Sequence, residues 1–364
     1  MTSREREVYA LIREDPMISQ DEIAAKLGIS RSAVSVHISS LLKQGFLRGR
    51  GYVLAEEHYH VVIGVAGIDF RGEVEGDESD SVSENIINYY GRINWIFGGT
   101  GYNISYYLNR IGEPVRLIAA LGGDMFGKQL AEHCRETGIN VDDCLYTPDL
   151  PQSIMLQLRD EKNDRRTSMV NYFAEEGMTP QFFSEKARML KNARTIVIND
   201  IATSESVDYL LQEHDNADTW LVFSGVTSRI DRLKTFVPRT KHCYMNLHAA
   251  AHIAGVPMDM DVLTIGERLR DLGIREAFVS CENRSILHVT DSGCRTYATL
   301  PNTLSDSERG KDAFVAGLLA STGDNRTMEE RIRFASEVCR QARTLYSGAY
   351  PMSRGTVEQA LATR

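Results

Sequence analysis

The sequence predicts an α/β protein: a parallel sheet with helices on both faces, a small β lid, and a small helical module in front. Three observations predict it. Short apolar segments alternate with helical ones through most of the chain, the signature of a parallel sheet with crossover helices. Two stretches, residues 72–97 and 154–172, break that alternation and read as short exposed strands. The first 54 residues carry a helical pattern of their own. A chain of 364 residues accommodates two domains, and its 42% of hydrophobic residues excludes a wholly disordered polymer.

The N-terminal module comes first. Val8, Leu11 and Ile12 give its first helix an apolar face. Ser19 caps the second, with Glu22 three residues on as the reciprocal partner of a capping box. Ile23, Ala24 and Leu27 form its buried stripe, and Gly28 ends it. Ser30 caps a third helix whose inward positions are Val34, Ile38, Leu41 and Leu42. A four-residue turn, Leu27 to Ser30, between two helices is a helix-turn-helix signature. The third helix presents Arg31, Ser32, Ser35, His37 and Ser39, short polar groups that allow close approach to a major groove. Beyond Gly45, Phe46 to Leu54 alternate like a hairpin with Arg48 and Arg50 at its tip.

Residues 1–54 thus resemble the winged helix-turn-helix domain of bacterial regulators. The resemblance implies a DNA operator as partner, contacted by Arg31, Ser32, Ser35, His37, Arg48 and Arg50, and a homodimer as the working form. Charge points the same way. Residues 1–54 hold eight basic and six acidic side chains, which leaves 33 against 44 in the remainder, a balance of −11. An acidic body is repelled by DNA, so contact must come from the front module.

Residues 55–60 read as a linker, 61–350 as the α/β domain and 351–364 as a C-terminal tail. Strands are expected at Val61–Val65, ending near Asp69, and at Val115–Leu121, Thr195–Ile198, Trp220–Phe223, His242–Met245, Ala277–Ser280 and Ile286–Val289. Helices are expected at Gly101–Gly112, Gly127–Thr137, Ser204–Glu213, Asp259–Leu272 and Asp312–Ser321. The two interruptions, 72–97 and the hairpin 154–172, form a small lid over one end of the sheet. Six cysteines lie scattered without a CxxC pair, which suggests buried thiols and no metal site. No apolar run approaches the ~20 residues needed to span a bilayer, and the first residues lack a signal-peptide core, so a cytoplasmic protein without membrane partners is expected.

The chemistry concentrates in Gly98-Gly99-Thr100-Gly101-Tyr102-Asn103. Paired glycines let a backbone approach a ligand, and the helix that follows presents its first amides. Asn103, on the first turn, can donate to and accept from a polyol. With Asp69 upstream and the turn Gly122 to Gly127 downstream, read as structural, the pieces fall in the order of the PfkB family of sugar and nucleoside kinases, which the chain resembles over residues 61–350. The resemblance implies a ribokinase-like sheet, ATP and Mg2+ as cofactors, and a sugar or nucleoside held by Asp69, Gly98, Gly99 and Asn103. It assigns Asp312 as the base on the substrate hydroxyl and residues 309–311 to the anion hole for the moving phosphate.

The nucleotide side departs from that pattern. In Asp306-Ser307-Glu308-Arg309-Gly310-Lys311-Asp312, Arg309 and Lys311 occupy two glycine positions, where side chains are expected to crowd the backbone. The motif that supplies a magnesium-side carboxylate reads Asn246-Leu247-His248-Ala249. The turn at the nucleotide edge reads Cys281 to Ser285 without its glycines. The expectation is a transcription regulator that senses a sugar, nucleoside or sugar phosphate, with phosphotransfer weak or lost. The alternative is an active ATP-dependent kinase that carries a DNA-binding domain.

Overall fold

The structure, a computed structural model, describes residues 1–44, 46–47, 59–74, 90–160, 165–199, 202–214, 217–223, 227–281, 285–301, 308–345 and 352–363. The chain divides into two compact units, Met1–His58 and Tyr59–Arg364.

In the first unit, three helices, Ser3–Glu14 (α1), Gln20–Leu27 (α2) and Arg31–Lys43 (α3), enclose Val8, Ile12, Ile18, Ile23, Val34, Ile38, Leu41 and Leu47. The Ser19–Glu22 capping box forms, and Gly28 takes the left-handed conformation at φ 62°. Leu42 departs from expectation. It is 40% exposed, because its position falls on the edge of the stripe that Val34, Ile38 and Leu41 fill.

The second unit is built on an eight-stranded sheet. From edge to edge it runs Gly293–Ala298 (β14), Ser285–Thr290 (β13), Glu276–Cys281 (β12), His242–Asn246 (β11), Asp218–Val222 (β10), Ala193–Asn199 (β9), Tyr59–Ile63 (β1) and Val115–Ile118 (β4). The pairs from β12 to β4 are parallel, while β13 and β14 add antiparallel. Successive side chains on a strand point to opposite faces, and the core divides accordingly. Val61, Ile63, Ile196, Ile198 and Leu221 pack under the helices Ser204–Glu213, Leu247–Ala254 and Val262–Asp271. Val62, Val197, Trp220, Val222 and Phe278 pack under Thr100–Arg110 (α4), Glu308–Ala320 and Met328–Leu345.

The run 115–121 is not one strand. It breaks at Ala119 into β4 and Ala120–Gly122 (β5), and β5 pairs with Leu145–Thr147 (β6) in a separate ribbon. Residues 351–364 are not a loose tail. The helix Arg354–Ala362 buries Val357, and Met352 joins the same core, because both are apolar and face the long helix Met328–Leu345.

The lid is a four-stranded sheet in the order Gly91–Gly98 (β3), Gly67–Val74 (β2), Ile154–Asp160 (β7) and Arg165–Asn171 (β8). Asp69 therefore sits within lid strand β2 and not at the end of the central strand β1. Phe70 meets Phe126 edge-on at 5.8 Å, and Phe97 stacks on His133 at 4.4 Å. These contacts seat one face of the lid root on the helix Met125–Glu136 (α5).

At the far end of the central sheet, Glu276 joins two imidazoles, with Oε2 at 2.5 Å from His242 Nδ1 and Oε1 at 2.7 Å from His288 Nε2. Burial pushes its carboxyl up, but the hydrogen bonds and positive charge of the two histidines outweigh this and hold it at about 2, against an ordinary 4.5. A carboxyl depressed in the folded state stabilises above its unfolded pKa and loses that contribution as pH falls through the folded value. Glu276→Gln is therefore expected to lower the unfolding free energy by roughly 2–3 kcal/mol at pH 6 and to converge with the parent chain as pH falls from 4.5 toward 2. Urea denaturation across that range measures it.

Candidate functional site

The glycine pair joins lid to sheet. β3 ends at Gly98, and α4 begins at Thr100. A Cβ on Gly98 would lie 2.3 Å from Asp69 Oδ2, so the carboxylate rests directly on this glycine. Gly99 adopts φ +94°, and a Cβ there would meet the Val65 carbonyl oxygen at 2.5 Å. The helix α4 has no side-chain cap. Its backbone is tied instead by Tyr102 N–H to the Val65 carbonyl at 3.1 Å and Asn103 N–H to the Gly99 carbonyl at 2.9 Å.

One helical turn in, Asn103 Nδ2 donates to Asp312 Oδ2 at 2.8 Å. Both residues are buried, Asp312 completely. The bond spans 209 positions of sequence and fixes the first turn of α4 against the first turns of the helix Glu308–Ala320. Asn103 Oδ1 is buried without a hydrogen-bond partner among the described residues. A buried amide oxygen left unpaired carries a desolvation cost, which a ligand hydroxyl would relieve.

The helix carrying Asp312 begins at Glu308, ahead of the Asp312 start read from the sequence. Positions 309 and 311 are thus helical, and a right-handed helical backbone accepts side chains readily. A helical backbone at 309 and 311 does not call for the conformations that only glycine adopts. Gly310 is buried and Lys311 half-buried in the first turn. Asp306, Ser307, Glu282 to Arg284 and the side chain of Arg309 lie outside the described residues. Asp124 does what its turn suggested. Its Oδ1 accepts from Gly127 N–H at 2.9 Å as the α5 cap, and its Oδ2 accepts from Gln152 N–H at 3.0 Å.

A magnesium ion does not fit the matching positions. Ala249 puts a fully buried methyl where the motif calls for a carboxylate, and Asn246 Oδ1 accepts from Ala249 N–H at 2.8 Å as a helix cap. Among the described residues, no group of three or more His, Cys, Asp or Glu is placed to hold a metal.

Two further groups lie near the lid root. Arg71, two residues beyond Asp69, has Nη2 3.6 Å from Asp69 Oδ2. Glu175 is buried, accepts from Ser153 Oγ at 2.6 Å, and is pushed up to about 7 by burial, against the pull of Ser153, a backbone amide and Arg229. Sequence reading found neither, because each is an isolated charge that acquires neighbours only when the lid strands pair.

In the first unit, Ser32, Ser35, Val36, Ser39 and Lys43 recur at helical spacing and form one exposed stripe on α3. His37 lies off that stripe and is half-buried, whereas Val36 is 67% exposed on it. Arg31 sits 3.6 Å from Asp21, both 69% exposed, a pair too screened to hold it. Arg48 and Arg50 lie outside the described residues.

A doubly covered sheet whose lid brings an aspartate onto a glycine pair is the architecture of a ribokinase-like small-molecule domain. Residues 57–354 match the pfkB family of carbohydrate kinases, and residues 1–48 match a winged helix-turn-helix DNA-binding domain. The uncharacterised sugar kinase YeiI of Escherichia coli is 28% identical over 346 residues, 92% of each chain. The pseudouridine kinase of the same organism is 24% identical over 298 residues, 78% of this chain and 89% of its own. The ribokinase of Giardia lamblia shares the fold with a TM-score of 0.69 at 18% identity, over 84% of this chain and 99% of that one. The chain belongs to the pfkB family and carries a winged helix-turn-helix at its front.

Gly99→Ala is expected to destabilise by about 1–3 kcal/mol in urea denaturation, through a disfavoured φ and the Val65 carbonyl contact. Stability within 0.5 kcal/mol of the parent, roughly the level of an indifferent surface change, would contradict the turn described.

Proposed function

We propose that the chain is a DNA-binding transcription regulator whose pfkB domain binds a small hydroxylated ligand, a sugar, nucleoside or sugar phosphate, with phosphotransfer weak or lost. One contrast supports this reading above the rest. The polyol side retains Asp69 on Gly98 and Asn103 on Asp312, while the magnesium side has a buried methyl at 249. Phosphoryl transfer depends on positioning and on metal neutralisation of the moving charge, and a base alone supplies only about 10²–10⁴-fold. In this reading Asp312 orients Asn103 and the ligand, and Lys311 offers a cation at the helix start in place of an amide-lined anion hole.

The working organisation is a DNA module at 1–54 and a sensor that starts at Tyr59 and includes the helix Arg354–Ala362, in a cytoplasmic homodimer on an operator. Ile93, Trp95, Leu156 and Met169 support dimerisation. They share the lid face opposite Asp69 and are 75%, 46%, 37% and 69% exposed. Ser32, Ser35 and Ser39 face bases or phosphates, with Arg31, Arg48 and Arg50 on the backbone. His37 is the weakest member of that set. Among the described residues, no helix is long and apolar enough to cross a membrane.

Replacing Arg31 and Arg48 together with Ala is expected to weaken DNA binding and to reduce the slope of log affinity against log salt by about 1–2, since each phosphate contact releases counterions. Electrophoretic shifts of the full chain on genomic fragments at several salt concentrations measure both. An unchanged slope would remove these arginines from the interface.

Incubation with ATP, Mg2+ and a panel of pentoses, hexoses and nucleosides is expected to give no phosphorylated product, while Asp69→Ala abolishes ligand-induced thermal stabilisation. Robust phosphorylation that disappears on Asp312→Asn would restore the kinase reading.

A further inference from the structure

The face of the lid that carries Asp69 is organised in rows across the strands. Nearest the root, Asp69 is flanked by Ile96 on β3 and Met155 on β7. In the next row, Arg71 is flanked by Asn94 and Gln157, with Ser168 beyond on β8. In the third, Glu73 lies between Arg92 and Arg159. Polarity therefore rises outward from a carboxylate to a cation between two amides, and then to a carboxylate between two further arginines. These rows hold three arginines against two carboxylates, in a part of the chain whose overall balance is −11.

Arg71 is only 37% exposed, and its Nε is buried without a hydrogen-bond partner among the described residues. Its distance from Asp69, 3.6 Å, exceeds a hydrogen bond. The guanidinium is therefore held near the site, ion-paired loosely to Asp69 through Nη2 and with its Nε donor unused, although buried donors are ordinarily satisfied. Two strand residues separate the Cα atoms of Asp69 and Arg71 by roughly 6.6 Å, which suits a polyol ring at one end and its exocyclic substituent at the other. A planar fork of donors matches a phosphate or carboxylate better than a hydroxyl.

We infer that this lid face selects an anionic ligand, with Arg71 binding a phosphate or carboxylate on the molecule whose hydroxyls reach Asp69. The inference rests on the ligand-site reading given above and narrows it to phosphorylated or acidic polyols, which a reaction that phosphorylates or oxidises a sugar or nucleoside must supply.

The test is binding of the full chain to D-ribose, D-fructose and uridine, to their phosphate monoesters, and to inorganic phosphate, at fixed ionic strength, by thermal shift and calorimetry. At least one monoester is expected to bind tenfold or more tighter than its neutral parent. Arg71→Gln is expected to lower the ratio of monoester to neutral affinity tenfold or more. Arg71→Lys should retain part of the preference, and Asp69→Asn should weaken both classes. Binding that needs Asp69 while the ratio of monoester to neutral affinity is the same in Arg71→Gln as in the parent would overturn the anion subsite and leave the ligand site standing. Inorganic phosphate binding as tightly as the monoesters would indicate an adventitious ion only and would also overturn it. No stabilisation by any compound would overturn the subsite together with the site beneath it.

Discussion

Asp312 is fully buried between two helices, and the amide of Asn103 donates to it at 2.8 Å. Removing a carboxylate from water is costly unless it is paired or hydrogen-bonded, so this contact constrains everything around it. It fixes the first turn of α4, and with it the glycine pair from which the lid strand β3 departs. It also fixes the start of the helix Glu308–Ala320 against α4, within the core layer built by Val62, Trp220 and Phe314. Asn103 and Asp312 are therefore carried on elements whose relative position is tied by a buried polar contact and the apolar layer around it.

The lid completes the arrangement by giving its two faces different tasks. Period-two alternation sends Asp69, Arg71 and Glu73 to one side and Ile68 and Phe70 to the other. Near the root the apolar side packs on α5, and farther out it remains exposed at Ile93 and Trp95. The polar side offers a graded set of hydrogen-bonding groups. A shift of one residue in the pairing would exchange the two faces, so register decides which side chains share a face with Asp69.

Membership of the pfkB family fixes the fold and leaves the activity to the details of the site. Those details are uneven. The turn at Asp124 and the glycine pair have well-formed local geometry, with each polar atom of the Asp124 carboxylate engaged. The helix cap at Asn246 is equally well formed, accepting from the backbone N–H of Ala249, whose side chain is a buried methyl and not a carboxylate. The winged helix-turn-helix unit has few charges on the exposed stripe of α3. Ser32, Ser35 and Ser39 surround an exposed Val36, a surface suited to close approach and methyl contact in a major groove more than to strong phosphate attraction.

Much of this was legible in the sequence for identifiable reasons. Caps such as Ser19 and Gly28 act over three or four residues, and strand alternation acts over two, so local chemistry sufficed to place the helices of the front module and most central strands. The glycine pair, Asn103 and Asp312 were visible as residue types at a spacing. What depended on tertiary structure involved partners far apart in the chain. The Asn103–Asp312 bond joins residues 209 positions apart, and the pairing of β2 with β7 places Arg71 beside Gln157. The break at Ala119 arises because β5 pairs with β6, and the helix Arg354–Ala362 belongs to the domain because Met328–Leu345 offers a surface for Val357. Local rules decide which conformation a segment adopts. Which segment it meets is decided by packing, and a charge such as Arg71 acquires its chemistry only after that choice has been made.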